Sequence, residues 1–157
     1  MMSNQCCKRH TVTLLLLIFL QLLSLRVITS TAAILHNLSD FSSSVLNRGY
    51  TSNSVVAVEY VRFLQLKHKV SDFDATILSP SAPIDAAWHN HILDTKNYIN
   101  DCIQYFGQII HHNPAGAKDT FMKRRRYEKT LEEYVHFFKE FPPRQIWPRL
   151  SPVRGHC

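Results

Sequence analysis

The stretch from Pro83 to Gly107, PIDAAWHNHILDTKNYINDCIQYFG, restricts the fold of this chain more than any other part of it. Placed on a helix at about 100° per residue, Ile84, Trp88, His91, Ile92, Thr95, Ile99, Cys102, Ile103 and Phe106 fall on one broad face, with Tyr98 at its edge. Pro83 is tolerated in a first helical turn, where the backbone N–H has no partner. Asp85 suits the positive N-terminal end, and Gly107 is a good stop. A single helix from about Pro83 to Phe106 is therefore expected.

The flanks read as partners for that helix. From about Ser54 to Val70, Val56, Tyr60, Phe63 and Val70 recur at three, four and seven residues, while Glu59, Arg62, Gln65 and Lys69 point elsewhere, as in an amphipathic helix. Ser71–Pro83 is a connector rich in turn residues. A third helix is expected from about Asp119 to Phe141, capped by Asp119, with Tyr127, Leu131, Tyr134, Phe138 and Phe141 as its stripe. From Pro142 the chain carries Pro143, Pro148 and Pro152 and cannot continue as regular helix. Ile146-Trp147 is the apolar anchor of that tail. The expected fold is all-α, a small bundle of three main helices with a Pro-rich C-terminal tail packed against it. Its bounds are a Ser-rich linker over 34–51, a domain over 52–149 and a tail over 150–157.

Residues 1–33 have the pattern of a secretory signal: a basic start (Lys8, Arg9, His10), an apolar run Val12–Leu25, and small residues before a cut after Ala32 or Ala33. The alternatives are a membrane-spanning signal anchor, since about 20 apolar residues suffice to cross a bilayer, and a chain that stays in the cytosol. Arg26 interrupts the run, at a cost of roughly 2.5–3.5 kcal/mol on insertion scales, which favours a cleaved leader. Secretory or extracellular localisation follows as the expectation, with membrane attachment only if the segment stays uncleaved. Asn37-Leu38-Ser39 is a glycosylation acceptor pattern. Cys6 and Cys7 would leave with the leader, so Cys102 and Cys157 are the one candidate disulfide; the other reading makes Cys102 a small buried apolar residue.

With 45% hydrophobic and 19% charged residues the chain is globular, and its length allows one domain. The net charge of +6 hints at nucleic acid until it is partitioned. Lys8, Arg9 and Arg26 lie in the leader, and the balance of the rest is +3. Lys123-Arg124-Arg125-Arg126 fans over about 300° of a helix and cannot face one ligand. Nucleic acid is thus not the expected partner.

The chemistry gathers in four of the nine histidines, His89, His91, His111 and His112. Residues two apart do not share a helix face, so His91 faces inward while His89 points roughly 160° away, beside Asp85 four residues earlier. Ile109-Ile110 should anchor the loop after Gly107 and carry His111-His112 back toward the domain. His89, His91, Cys102, His111 and His112, with Asp85 as a further donor, offer the imidazole, thiolate and carboxylate ligands that zinc or a related divalent ion takes. The competing reading is a structural polar network, with His91 hydrogen-bonded to Thr95 or a tyrosine and Asp85 and His89 locking the helix start. The functional cluster to watch is Asp85, Trp88, His89, His91, Thr95, Tyr98, His111 and His112.

The ordered strings Leu78-Ser79-Pro80-Ser81, Ile84-Asp85, Trp88-His89-x-His91-Ile92-Leu93-Asp94-Thr95, Phe106-Gly107 and Ile110-His111-His112-x-Pro114 resemble the glycine-rich domain-containing protein-like family. The later Tyr127, Thr130-Leu131, Tyr134, Pro142-Pro143 and Ile146-Trp147-Pro148 are similar to its closing pattern. The likeness spans about residues 52–149, although this chain has no glycine-rich region and starts with a leader. It implies a small helical module and adds no reaction. Three classes of function follow: a helical binding or interaction module for a protein or small molecule, a metal-assisted hydrolase or other enzyme built on the histidines with Asp85 as orienter or base, and nucleic-acid binding through Lys123–Arg126. The first leads, because the sequence holds no convincing set of nucleophile, base and orienter.

Overall fold

The computed structural model of the protein describes Gln21 and residues 39–150. Among these the chain is all-helical, with no strand. Residues 39–47 are helical (α1) and are followed by α2 (Ser54–Lys69), α3 (Ala82–Leu93), α4 (Thr95–Phe106), a 3₁₀ turn (Pro114–Ala117) and α5 (Thr120–Phe138). Helix α2 packs against α3 and α5, α3 against α4, and the 3₁₀ turn against α5. No helix among the described residues is long and apolar enough to cross a membrane. The leader, Asn37 and Cys157 lie outside the described residues, apart from Gln21.

Residues 39–47, within the segment expected to be a Ser-rich linker, are a working part of the core. Phe41 and Val45 of α1 are fully buried, and Phe41 stacks on Tyr105 with ring centroids 4.4 Å apart. Serines occupy the outer positions while two apolar residues four apart make the buried stripe, a pattern too narrow to show through the composition.

Helix α2 starts where expected. Asn53 caps it, its side-chain oxygen accepting from the N–H groups of Val55 and Val56 at 2.9 and 3.3 Å. Tyr60, Phe63, Leu64 and Leu66 are fully buried. Two charged residues join them, however. Glu59, expected to point away from the core, is 2% exposed and accepts from Trp147 Nε1 at 2.8 Å, Tyr134 Oη at 3.1 Å and Arg62 at 3.0 Å, tying α2 to α5 and the tail. Lys67 is fully buried and pairs with Asp72 at 2.6 Å. Asp72 also accepts from the N–H groups of Thr76, Ile77 and Leu78, so one carboxylate shapes the connector between α2 and α3. Burial lowers the Lys67 pKa, against the opposing pull of Asp72.

The expected central helix is two helices. Asp94, at φ −86° and ψ 69°, leaves helical geometry and caps α4, accepting from the N–H and side-chain amide of Asn97 at 3.4 and 2.7 Å. Tyr50 Oη donates to the same carboxylate at 2.9 Å. The break shifts the register: Tyr98, Asp101, Cys102 and Phe106 are buried in α4, whereas Ile99 and Ile103 are 44% and 51% exposed and Thr95 is exposed. The bundle therefore has four longer helices where three were expected. Gly107, at φ +74°, closes α4 in the left-handed conformation.

Helix α5 begins at the Asp119 cap and buries Tyr127, Thr130 and Tyr134. It ends at Phe138 because Lys139 turns left-handed, which leaves Phe141, expected in the stripe, 78% exposed. Ile146 and Trp147 are buried as the tail's anchor, and Tyr127 Oη donates to the Pro148 carbonyl at 2.9 Å.

Candidate functional site

The sequence Trp88-His89-Asn90-His91 sends its side chains to two separate places. His91 is fully buried. Tyr60 Oη lies 3.0 Å from its Nδ1, and Tyr50 stacks on its ring at 4.4 Å. Its Nε2 sits 3.2 Å from Asp101 Oδ2 without the alignment of a hydrogen bond, and is left with no hydrogen-bond partner. Asp101 is held in turn by Arg48 at 2.8 Å. Burial, and secondarily the Arg48 charge, pull the His91 pKa down to about 4, so the imidazole is neutral at pH 7. Burial raises the Asp101 pKa, against the Arg48 guanidinium. The result is a polar lock joining α2, α3, α4 and the segment after α1.

Asp85 and His89, one turn apart on α3, face the other way. His89 Nδ1 lies 3.8 Å from Asp85 Oδ2. The loop after α4 supplies a third group, His112, whose Nε2 is 3.0 Å from Asp85 Oδ1. The rings of His89 and His112 approach to 4.4 Å, and the three donor atoms lie within 4.8 Å of one another. Burial opposes ionisation of Asp85, but the His112 hydrogen bond and the charges of His89, His112 and Lys123 outweigh it and lower its pKa.

The loop reaches this position for identifiable reasons. Ile110 is fully buried, and its carbonyl accepts from Tyr98 Oη, which itself accepts from Trp88 Nε1 at 2.9 Å. The His111 N–H donates to the Phe73 carbonyl at 2.6 Å. Trp88 then meets the His112 ring edge-on at 4.6 Å. Thus Trp88 and Tyr98 support the cluster from below rather than lining it as ligands.

The remaining sequence candidates stand apart. The His111 side chain is exposed, and Thr95 is exposed at the start of α4. Cys102 is a buried free thiol whose pKa is raised by burial; its candidate partner Cys157 lies outside the described residues. Of the five residues that the sequence offers as metal donors, His89 and His112 come together, joined by Asp85.

The cluster borders two hollows. A small one of about 50 Å³ is lined by Ser79, Asp85, Trp88, His112, Lys123 and Arg126. A cleft of about 500 Å³ lies between α3 and α5, with Ser81, Ala82, Asp85, Ala86, His89 and Lys123 among its walls. Asp85 and Lys123 belong to both. Ser81, 3% exposed at the head of α3, leaves its hydroxyl without a hydrogen-bond partner. The sequence singled out Lys123 only within the basic run Lys123–Arg126 and did not single out Ser81 as a site residue, whose signal lay in the Ser-Pro-Ser-Ala-Pro helix start. The basic run divides as helical geometry requires. Arg126 turns in to the Gly116 carbonyl at 2.6 Å and Ser79 Oγ at 3.2 Å, Arg125 lies over Phe121, and Lys123 and Arg124 line the cleft, Arg124 also pairing with Glu128 at 3.0 Å. A third hollow of about 800 Å³, near the end of α5, is lined by Leu131, Val135, Phe141 and Trp147 and holds none of the candidate residues.

Fold and site together define a small all-helical module with a histidine-edged cleft. Residues 40–137, more than half of the chain, match the model of the UCP032817-like family, and the chain belongs to that family. This corrects the resemblance to the glycine-rich domain-containing protein-like family, which is a different one. The match begins inside α1, in keeping with the burial of Phe41 and Val45. No curated protein and no solved structure matches the chain.

Proposed function

We propose that the protein is a helical binding module whose ligand is a small organic anion held in the cleft between α3 and α5. The observation that carries this reading is the composition of the 500 Å³ cleft. Ala82, Ala86, Tyr127 and Leu150 offer an apolar wall, Lys123 and Arg124 offer cationic groups and His89 a hydrogen-bonding one, and the Asp85 carboxylate in the same wall is paired with His112. Binding sites of this size are mostly apolar, with a few convergent polar groups fixing orientation. The head of α3, where Pro83 carries no N–H and the Asp85 N–H is bonded to the Ser81 carbonyl, adds the positive end of the helix dipole, which favours a carboxylate or phosphate.

Chemical-shift mapping tests the reading. Titrating isotope-labelled protein with aromatic carboxylates and phosphate monoesters, in chelator, should perturb Ala82, Ala86, Lys123 and Tyr127 first. Lys123→Ala should weaken binding about tenfold, as one charge-assisted contact implies. Shifts that map elsewhere, or an indifferent Lys123→Ala, would sink the proposal. The leader-like sequence pattern over 1–33 and the acceptor pattern at Asn37 support the reading of a module that works after export. Amino-terminal sequencing of protein secreted by eukaryotic cells should start at Ala33 or Ile34 and show a glycan at Asn37. Retention in the membrane fraction would instead identify a signal anchor.

A further inference from the structure

We propose that Asp85, His89 and His112 form a binding site for one divalent transition-metal ion of the zinc class, open on one side to the cleft. The proposal rests on the cleft as the binding surface and names the cation that would complete it.

Spacing along the chain builds most of the site. Asp85 and His89 are four residues apart on α3, so their side chains stack on one face one turn apart. The third donor must come from elsewhere, and the loop brings it in under constraint. Ile110 is buried and held through its carbonyl, the His111 N–H is bonded to Phe73, and Trp88 packs edge-on against the His112 ring. His112 is thereby held through the two residues before it and along its ring, which is how supporting groups orient a ligating imidazole.

The distances suit an ion. Ligands at about 2.0–2.2 Å from tetrahedral zinc stand roughly 3.3–3.6 Å from one another. Here His112 Nε2 lies 3.0 Å from Asp85 Oδ1 and His89 Nδ1 3.8 Å from Asp85 Oδ2, and one donor atom from each residue lies within 4.8 Å of the other two. Side-chain rotations that bring one Asp85 oxygen and the two imidazole nitrogens to these separations would close the set around a cation.

A plain ion-pair latch between loop and helix accounts for Asp85 and His112 but not for His89. That residue is 51% exposed at its side chain, stands beyond hydrogen-bonding distance from Asp85, and brings its ring to 4.4 Å from His112 at a 55° tilt, without stacking. Two imidazoles converging on one carboxylate are the donor set that zinc, cobalt, nickel or iron(II) takes, and nitrogen donors disfavour calcium and magnesium. With three protein ligands a coordination position stays open, the arrangement of exchangeable rather than structural sites. It faces the cleft, where Lys123 would hold an anion against the ion rather than serve as a ligand itself.

The test uses the full chain, freed of metal by chelator and titrated with Zn²⁺ or Co²⁺ in phosphate-free buffer, with calorimetry and elemental analysis counting the ions. The expected result is one ion per chain. His89→Ala should weaken binding by more than the roughly 10- to 100-fold that outer-sphere partners are worth, while His111→Ala and Cys102→Ser should leave it unchanged. Because His89 is exposed, its removal leaves the fold intact, and a His89→Ala protein that binds as well as the parent overturns the proposal. His112→Ala should also lose the ion; circular dichroism reports whether the loop change has disturbed the helices. Bound Co²⁺ should show no thiolate charge-transfer band, and such a band would overturn the proposed ligand set. Anion binding in chelator is independent of these outcomes. If anions shift the Lys123 resonances and no metal binds, the metal site fails and the cleft stands. If neither binds, both fail.

Discussion

Two clusters of polar groups share helix α3 and differ in nearly everything else. Around His91, a neutral imidazole is sealed between Tyr50, Tyr60 and Asp101, and the arrangement holds four segments of chain together. Around Asp85, partly exposed donors of three residues converge beside an open cleft. Only two positions separate His89 from His91, yet one is 51% and the other 0% exposed. A helix turns about 200° over two residues, so neighbours in sequence enter opposite dielectric settings. In the buried setting an unmet polar group is costly, and the chemistry is spent on cohesion. At the cleft the same side-chain type keeps free coordination and hydrogen-bonding capacity.

The contrast can be broken by mutation, and the largest effect belongs to the interior. Asp72→Ala would strand the buried Lys67 ammonium and free three backbone N–H groups, so urea unfolding should show a loss of about 3–5 kcal/mol. A loss below about 1 kcal/mol would mean that the interior pairs matter no more than surface ones.

Acid should act on the same side of the comparison. The folded His91 pKa of about 4 lies below its ordinary 6.5, so the folded state binds fewer protons than the unfolded one between these values. The stability due to neutral His91 is fully present above about pH 6.5 and is lost as pH falls toward 4, to a limit of about 3 kcal/mol. Asp101, Arg48 and Asp94 are the charged groups around it and will shape the curve. Unfolding at pH 7, 5.5 and 4.5 should show this decline, and His91→Gln should flatten it.

Smaller effects sharpen the boundary. Tyr60→Phe removes the hydrogen bond to the His91 ring and should cost about 1–2 kcal/mol by thermal or urea unfolding. Gly107→Ala places a Cβ on a backbone at φ +74° and should cost about 1 kcal/mol, loosening the loop that presents His112. His89→Ala should fall within about 0.5 kcal/mol, since the side chain is exposed and at the cleft rim. A larger loss there would move His89 into the structural class and erase the distinction.

Much of this was legible in the residues. Helix periodicity and caps located α2 from Ser54 and α5 after Asp119, and the opposite facing of His89 and His91 followed from angle alone. The pairing of His89 with Asp85 was readable for the same reason. The break at Asp94 was not, because an aspartate inside a periodic pattern can lie on a solvent face or cap a new helix. Which occurs depends on Tyr50, 44 residues away, donating to its carboxylate. The burial of α1 was hidden by its serines, and the burial of Glu59 and Lys67 by their charge.

What the sequence determined by itself was therefore local: the helical class, most helix ends, and which side chains share a face, since caps and periodicity act within a few residues. Tertiary structure alone decided which polar groups meet. Trp147 reaches Glu59 across 88 positions, and His112 reaches Asp85 across 27, because burial of Ile110 and Trp88 sets where the loop lands. Such pairings depend on the packing of apolar surface far along the chain, and that packing carries no local signature at the residues it brings together.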